Sequence, residues 1–249
     1  MKIFRCFIEG QSIESVTIRN LIADFRWKPG DEMGEMKVTI DGTEVGGREG
    51  MTILEAAQSV GIDIPTLCHS PDLAPTGNCR VCVVEVKGAR TLVGACHTPI
   101  ANGMVIQTRS PKALTARKAT IELLMAGHTG ECVRDEDTGQ CDLRQLADEL
   151  EGGAPRFLMR KPRWYPIEEF NPYVRRDMSK CILCRKCVGA CSEIAKKNVY
   201  GIAYRGFASK VVVDFDDALT TELCRDCGIC IDYCPTGALS KPIKKGEAT

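Results

Sequence analysis

Long apolar runs, nucleotide-binding glycine signatures, histidine and net charge are all scarce in this sequence, and each shortage closes off a class of function. No stretch approaches the roughly 18 consecutive apolar residues of a membrane span, so direct membrane insertion is not expected. The opening MKIFRCFIEGQSIES lacks the continuous apolar segment of a secretory leader, which sets the expectation of a cytoplasmic protein whose thiols stay reduced. The 33 basic residues balance 33 acidic ones, leaving no overall field to attract nucleic acid or an anionic membrane. No G-x-G-x-x-G joins a strand to a helix and no G-x-x-x-x-G-K-S/T occurs, so no nucleotide or flavin site is expected; Gly46-Gly47 reads as a turn. Among only three histidines no Ser/His/Asp or Cys/His nucleophile arrangement stands out, and no catalytic residue is assigned.

Cysteine is abundant. There are 15, an odd number, and most fall in ligand-like runs rather than in a disulfide framework. The spacing C-x2-C-x2-C-x3-C occurs twice, at Cys181, Cys184, Cys187 and Cys191, and at Cys224, Cys227, Cys230 and Cys234. Three closely spaced thiolates on a looped backbone cap three irons of a cubane, while the fourth is held too far round and reaches the other cluster. This assigns Cys181, Cys184, Cys187 and Cys234 to one 4Fe–4S cluster, and Cys224, Cys227, Cys230 and Cys191 to its twin. Structural zinc is the alternative, although its thiolates usually come as two separated pairs. Both runs resemble the bacterial two-cluster ferredoxins, with Pro235 after the second run but Ser192 after the first, where proline is frequent.

Upstream, Lys37-Val38-Thr39-Ile40 and Thr43-Glu44-Val45 flank Asp41-Gly42, a two-residue hairpin signal. Thr52 to Val60 reads as a helix with Thr52 and Glu55 as a capping box, Gly61 as the stop, and Ile53, Leu54, Ala57 and Val60 as the apolar face. Then comes Cys68-x10-Cys79-x2-Cys82-x13-Cys96, with Gly77 relieving the backbone just before the close pair. His69 and His97 each neighbour one of these cysteines and read as supporting or surface residues rather than ligands. The segments IDIPTLCHSPDL, GNCRVCVVEV and GACHTPI resemble the 2Fe–2S domain of the large iron–sulfur subunit of complex I-type NADH dehydrogenases. The same domain recurs in diaphorase iron–sulfur subunits of NAD-linked hydrogenases and electron-bifurcating complexes. That resemblance implies a β-grasp domain with Cys68, Cys79, Cys82 and Cys96 as the 2Fe–2S ligands; zinc or free thiols are the alternative.

Ser110-Pro111 opens a second helix that runs to about Ala126, with Leu114, Ile121, Leu124 and Met125 on its apolar side. His128-x3-Cys132-x2-Asp135-x5-Cys141 follows. In the resembling families this position carries His-x3-Cys-x2-Cys-x5-Cys and holds a 4Fe–4S cluster with one histidine ligand. Here Asp135 replaces the second cysteine. Three readings follow: Asp135 ligates iron through oxygen, the site holds three irons or a solvent ligand, or it is empty with His128 at the surface. The first is the working expectation, giving a variant 4Fe–4S site of His128, Cys132, Asp135 and Cys141.

The expected fold class is α+β. Residues 1–35 form an N-terminal extension in which lone Cys6 reads as a small buried hydrophobe, and 36–108 the β-grasp 2Fe–2S ferredoxin domain. Residues 109–153 form a small helical His/Cys cluster domain and 154–177 a linker or docking strap rich in proline, aromatics and arginine. Residues 178–240 form the two-cluster bacterial ferredoxin-like domain, with strands at 199–204 and 210–215 between its cysteine runs, and 241–249 a polar tail. The resemblance implies an electron-relay subunit, not catalytic alone, of a multisubunit NAD(P)(H)-linked oxidoreductase. Its implied partners are a flavin- and NAD(P)-binding iron–sulfur subunit, a small 2Fe–2S subunit and a second catalytic redox module. A succinate dehydrogenase or fumarate reductase iron–sulfur subunit is the runner-up, and a scaffold or redox sensor with structural clusters the alternative from another class.

Overall fold

The computed structural model describes residues 36–128, 141–150, 156–157, 165–169, 171–213, 216 and 222–242. The expected N-terminal extension with Cys6, Cys132, Asp135, part of the expected strap and most of the tail lie outside these residues. The first module is a mixed five-stranded sheet in the order β2-β1-β5-β3-β4, built from β1 (Met36–Ile40), β2 (Thr43–Gly47), β3 (Val83–Val86), β4 (Val93–Gly94) and β5 (Val105–Gln107). Asp41 and Gly42, both left-handed (φ 49° and 86°), turn β1 into antiparallel β2 as expected, because such a turn follows the strand twist. β5 runs parallel to β1 and carries the chain out of the sheet. There Asp41 accepts from the Thr108 backbone N–H (2.7 Å) and hydroxyl, tying the hairpin to the strand exit. Asp41→Ala removes both bonds and the residue suited to a left-handed turn, and is expected to cost about 2 kcal/mol in urea denaturation. An unchanged midpoint would show the tie to be idle.

Gly46-Gly47 is strand, not turn: the two residues pair with Lys37 and Met36. Gly47 serves close packing, since a Cβ there would sit 2.3 Å from Ile100 Cδ1. Helix α1 (Ile53–Ser59) starts on the expected capping box, with Glu55 N–H donating to Thr52 Oγ1 (3.2 Å) and Thr52 N–H to Glu55 Oε2 (2.7 Å). It lays Ile53, Leu54, Ala56 and Ala57 on the sheet, where they join Val38, Ile40, Val84 and Ile106 in an aliphatic core. Val60, expected on that face, is exposed because it already caps the helix end.

Helix α2 (Pro111–Gly127) begins at Ser110, whose Oγ accepts from Ala113 N–H at 3.2 Å. Its buried residues are Ala113, Arg117, Ile121 and Glu122, while Leu114, expected inside, is exposed. Two charged side chains thus share the inward face, so reading that face by hydrophobicity alone misplaced its edge. Helix α3 (Asp142–Glu149) packs on α2 through Leu143 and Ala147.

The last module closes by pairing β6 (Arg175–Arg176) with β9 (Leu239–Ser240), bringing its two ends together. Between them lie α4 (Lys186–Gly189), the hairpin β7 (Tyr200–Ala203)–β8 (Lys210–Val213), and α5 (Ile229–Asp232). The hairpin is the expected insert, with β7 one residue shorter at each end than expected and β8 starting at Lys210 as expected. Around Cys191 the chain continues as a π-helical turn over Ala190–Ile194. Ser192 permits this: it keeps a backbone N–H and donates its hydroxyl to Val188 O at 3.0 Å, where proline would end the helix.

Candidate metal centres

The two cysteine runs repeat a backbone shape as well as a spacing. Leu183 and Arg185 flank Cys184 in left-handed conformation (φ 57° and 65°), and Asp226 and Gly228 flank Cys227 likewise (53° and 60°). Left-handed leucine and arginine are disfavoured and persist where something else fixes the loop. Convergent thiols are what the loop achieves. Cys184 and Cys187 are buried and feel the charges of Cys181 and Cys234. Cys224 and Cys230 feel those of Cys191 and Cys227. Charge interactions thus link Cys234 with Cys184 and Cys187, and Cys191 with Cys224 and Cys230, and Cys187 also senses Cys230 across the pair. Burial pushes the Cys184 and Cys230 thiols up to about 12, so thiolates here call for a compensating cation.

Backbone N–H groups aim at the sulfurs. Leu183 N–H donates to Cys181 Sγ (3.4 Å) and Val199 N–H to Cys191 Sγ (3.2 Å). The Tyr200 hydroxyl lies 3.7 Å from Cys230 Sγ, with the buried Arg176 guanidinium 5.9 Å from the Tyr200 ring centroid. Open hollows of about 330 Å³ beside Cys181 and about 340 Å³ beside Cys224 and Cys227 bring both sites near the surface.

In the first module Cys68, Cys79, Cys82 and Cys96 are buried together. Hydrogen bonds from Cys79 and Cys96 hold the Cys68 thiol far below its ordinary range, and Cys96 brings Cys82 down to about 7. Cys79 and Cys96, the donors in those bonds, are pushed up. Cys79 N–H also donates to Cys68 Sγ (3.4 Å), and Arg80, next in the loop, is left-handed (φ 56°). Gly77 is left-handed too (φ 62°), and the His97 ring fills the space against it and against Gly94, where a Cβ would lie 2.3 Å from the ring. That cradle sets His97 Nδ1 3.5 Å from Cys96 Sγ, the supporting place expected for it. His69 has a buried Nδ1 without a hydrogen-bond partner.

Of the expected His/Cys/Asp set, the described residues include His128 and Cys141, and they meet: His128 Nε2 is 3.7 Å from Cys141 Sγ. His128 is buried rather than at the surface. Its Nδ1 lies 2.9 Å from Lys180 O, and because a carbonyl only accepts, Nδ1 carries a proton, which makes Nε2 the nitrogen left to ligate.

Two links between sites had no sequence signal. Thr76 Oγ1 donates to Cys184 O at 3.4 Å, joining residues 108 apart in sequence, and Thr76 also lowers Cys68 by a hydrogen bond. Leu67, Cys68, Cys79, Val81, Ile121, Leu143 and Cys184 then form one apolar core in which elements from all three regions meet. No disulfide joins the described cysteines, and among the described residues no group of three or more His, Cys, Asp or Glu is arranged to hold a single metal ion. Sets of four soft, buried or half-buried thiols with N–H donors on their sulfurs suit a polynuclear iron–sulfide core, whose width keeps its ligands apart.

Residues 34–111 match the family described as 2Fe-2S iron-sulfur cluster binding domain, and residues 171–240 match the ferredoxin-like domain of NADH-quinone oxidoreductase subunit 3. Two modules of the chain thus resemble iron–sulfur ferredoxin-like domains. The chain is 38% identical over 218 residues to the NADP-reducing hydrogenase subunit HndD of Solidesulfovibrio fructosivorans, covering 83% of this chain and 36% of that one. It is 33% identical over 213 residues to the mitochondrial NADH-ubiquinone oxidoreductase 78 kDa subunit of Candida albicans, covering 84% and 29%. It thus spans about a third of the length of these relatives. Among solved structures, a chain of an NAD+-reducing NiFe hydrogenase in the H2-reduced state superposes with TM-score 0.70 at 28% identity, covering 87% of this chain and 91% of that one. The fold is accordingly a mixed α/β one with a 2Fe–2S ferredoxin-like module before a 4Fe–4S ferredoxin-like module. No helix among the described residues is long and apolar enough to cross a membrane.

Proposed function

We propose that this chain is the electron relay of a multisubunit NAD(P)(H)-linked oxidoreductase, passing single electrons between a flavin-containing subunit and a second redox module. The observation that carries the reading is the Thr76–Cys184 hydrogen bond together with the core that Cys68 and Cys184 share, which bring residues of the first thiol set beside residues of the second. Cys68, Cys79, Cys82 and Cys96 hold a 2Fe–2S cluster in a β-grasp domain spanning about 36–108. Cys181, Cys184, Cys187 and Cys234 hold one 4Fe–4S cluster and Cys224, Cys227, Cys230 and Cys191 the other, in a domain spanning about 178–240. His128 and Cys141, with Cys132 and Asp135, hold a further 4Fe–4S cluster in a helical domain at 109–153. Such clusters, when bound, supply reversible one-electron chemistry.

The chain's own residues set the conditions. The buried thiolates anchor, the N–H donors on Cys68, Cys181 and Cys191 favour added negative charge, and the apolar core keeps water out. The names of the relatives, with NADP-reducing hydrogenase and NADH-ubiquinone oxidoreductase among them, support a flavin- and NAD(P)-binding subunit and a small 2Fe–2S subunit as partners. That no disulfide joins the described cysteines supports a cytoplasmic site.

Anaerobically, NADH alone is expected to leave the purified chain oxidised, and NADH plus the partner flavoprotein to bring up several reduced-cluster EPR signals. Clusters that stay EPR-silent in that mixture would favour a structural scaffold instead. Iron counting adds the fourth site: about fourteen irons per chain if His128 and Cys141 hold a cluster, about ten if they do not.

A further inference from the structure

The inward face of α2 carries an arginine that the relay reading leaves unused. Arg117 is only 3% exposed. Its Nε and Nη2 both donate to the carbonyl of Val83, the residue after Cys82, at 3.2 and 2.9 Å. No carboxylate among the described residues forms an ion pair with it. Burial weakens its hold on the proton, and the largest charge opposing that is Cys82, ahead of Asp41 and Asp63, while Arg109 acts the other way. A guanidinium stays charged in a protein, and a buried one without an anion is costly. A fixed negative charge next to Val83 is what would offset this.

We propose that Arg117 is the counter-charge of the 2Fe–2S site and raises its reduction potential. This rests on Cys68, Cys79, Cys82 and Cys96 holding that cluster. On reduction the site takes up one electron and no proton, so its negative charge grows by one unit. A fixed cation beside Cys82 stabilises the more negative state over the less negative one, and burial leaves that interaction weakly screened. The pair of hydrogen bonds to Val83 O fixes the distance, because the planar fork cannot turn away. Arg117 touches no ligand sulfur; it acts through the field, and the module's core of Ile40, Ile53, Leu54 and Ile106 folds around other contacts.

The experiment is a dithionite titration of the holoprotein with redox mediators, following the 2Fe–2S EPR signal in wild type, Arg117→Gln and Arg117→Lys. Loss of the charge in Arg117→Gln is expected to weaken reduction about tenfold, a fall of about 59 mV for a one-electron couple, with the 4Fe–4S midpoints unmoved. Arg117→Lys keeps the charge but not the fork, and is expected to stay near wild type. A purely structural grip on Val83 would make the two variants behave alike. If Arg117→Gln does not fold, Thr120→Glu, one turn along α2, places a carboxylate within reach of the guanidinium and is expected to lower the same midpoint. A 2Fe–2S signal with an unchanged midpoint in Arg117→Gln, or in Thr120→Glu where it is the variant available, overturns the proposal. A wild-type protein with no 2Fe–2S signal overturns instead the ligand assignment beneath it.

Discussion

Stripping iron from the holoprotein is expected to unfold the region from Asn171 to Lys241 while the sheet of the first module keeps most of its hydrogen-exchange protection. The two modules differ in what their cores are made of. The first buries Val38, Ile40, Val45, Ile53, Leu54, Ile64, Val84 and Ile106 between a five-stranded sheet and α1, and needs no metal to exclude water. The last buries Val174, Met178, Tyr200, Val211, Val213, Ala238 and Leu239 around Cys187, Cys191, Cys224 and Cys230. Its helices α4 and α5 have four residues each, far below the length at which a helix persists unaided. Its loops also carry left-handed Leu183, Arg185 and Asp226. For small structural metal sites the binding free energy, on the order of 10 kcal/mol, is the folding free energy. Here the same coupling falls on one end of the chain. Exchange followed by mass spectrometry, before and after treatment with chelator and ferricyanide, reads both modules in one sample. Equal loss of protection in the two would mean that the aliphatic core of the first is not self-sufficient.

That contrast was partly legible in the sequence. Asp41-Gly42 and the Thr52–Glu55 capping box act within a few residues, so local pattern alone placed the first hairpin and helix. The cysteine spacings act over similar distances and marked the loops. What could not be read acts at long range or against hydrophobicity. Arg117 and Glu122 sit on the inward face of α2, where a hydrophobic pattern would put neither. The grip on Val83 spans 34 residues and the Thr76–Cys184 link spans 108, and neither has a local signature. Gly46 and Gly47 looked like a turn because glycine is permissive, but Gly47 is needed for the close approach of Ile100. Tyr200 looked like the start of a strand and nothing more; its place beside Cys230 follows from how the inserted hairpin folds back.

Cys234→Ala is expected to abolish the same 4Fe–4S signal as Cys184→Ala, and Cys191→Ala the same signal as Cys227→Ala, although each pair comes from different runs. Cys234 acts on Cys184 and Cys187, whereas Cys191 acts on Cys224 and Cys230, so each fourth thiol faces the opposite loop. The backbone explains why. In each run the left-handed residues around the second cysteine curl three thiols inward, and the helix that follows carries the fourth away from them. The pairing of β6 with β9 keeps the two halves facing, so the thiol that leaves one site arrives at the other. Each variant should lose about four irons per chain and one reduced-state EPR signal, with the 2Fe–2S signal intact. If Cys234→Ala instead erased the signal that depends on Cys227, each run would serve its own cluster, and the close approach of Cys187 to the second set would have to be explained by packing alone.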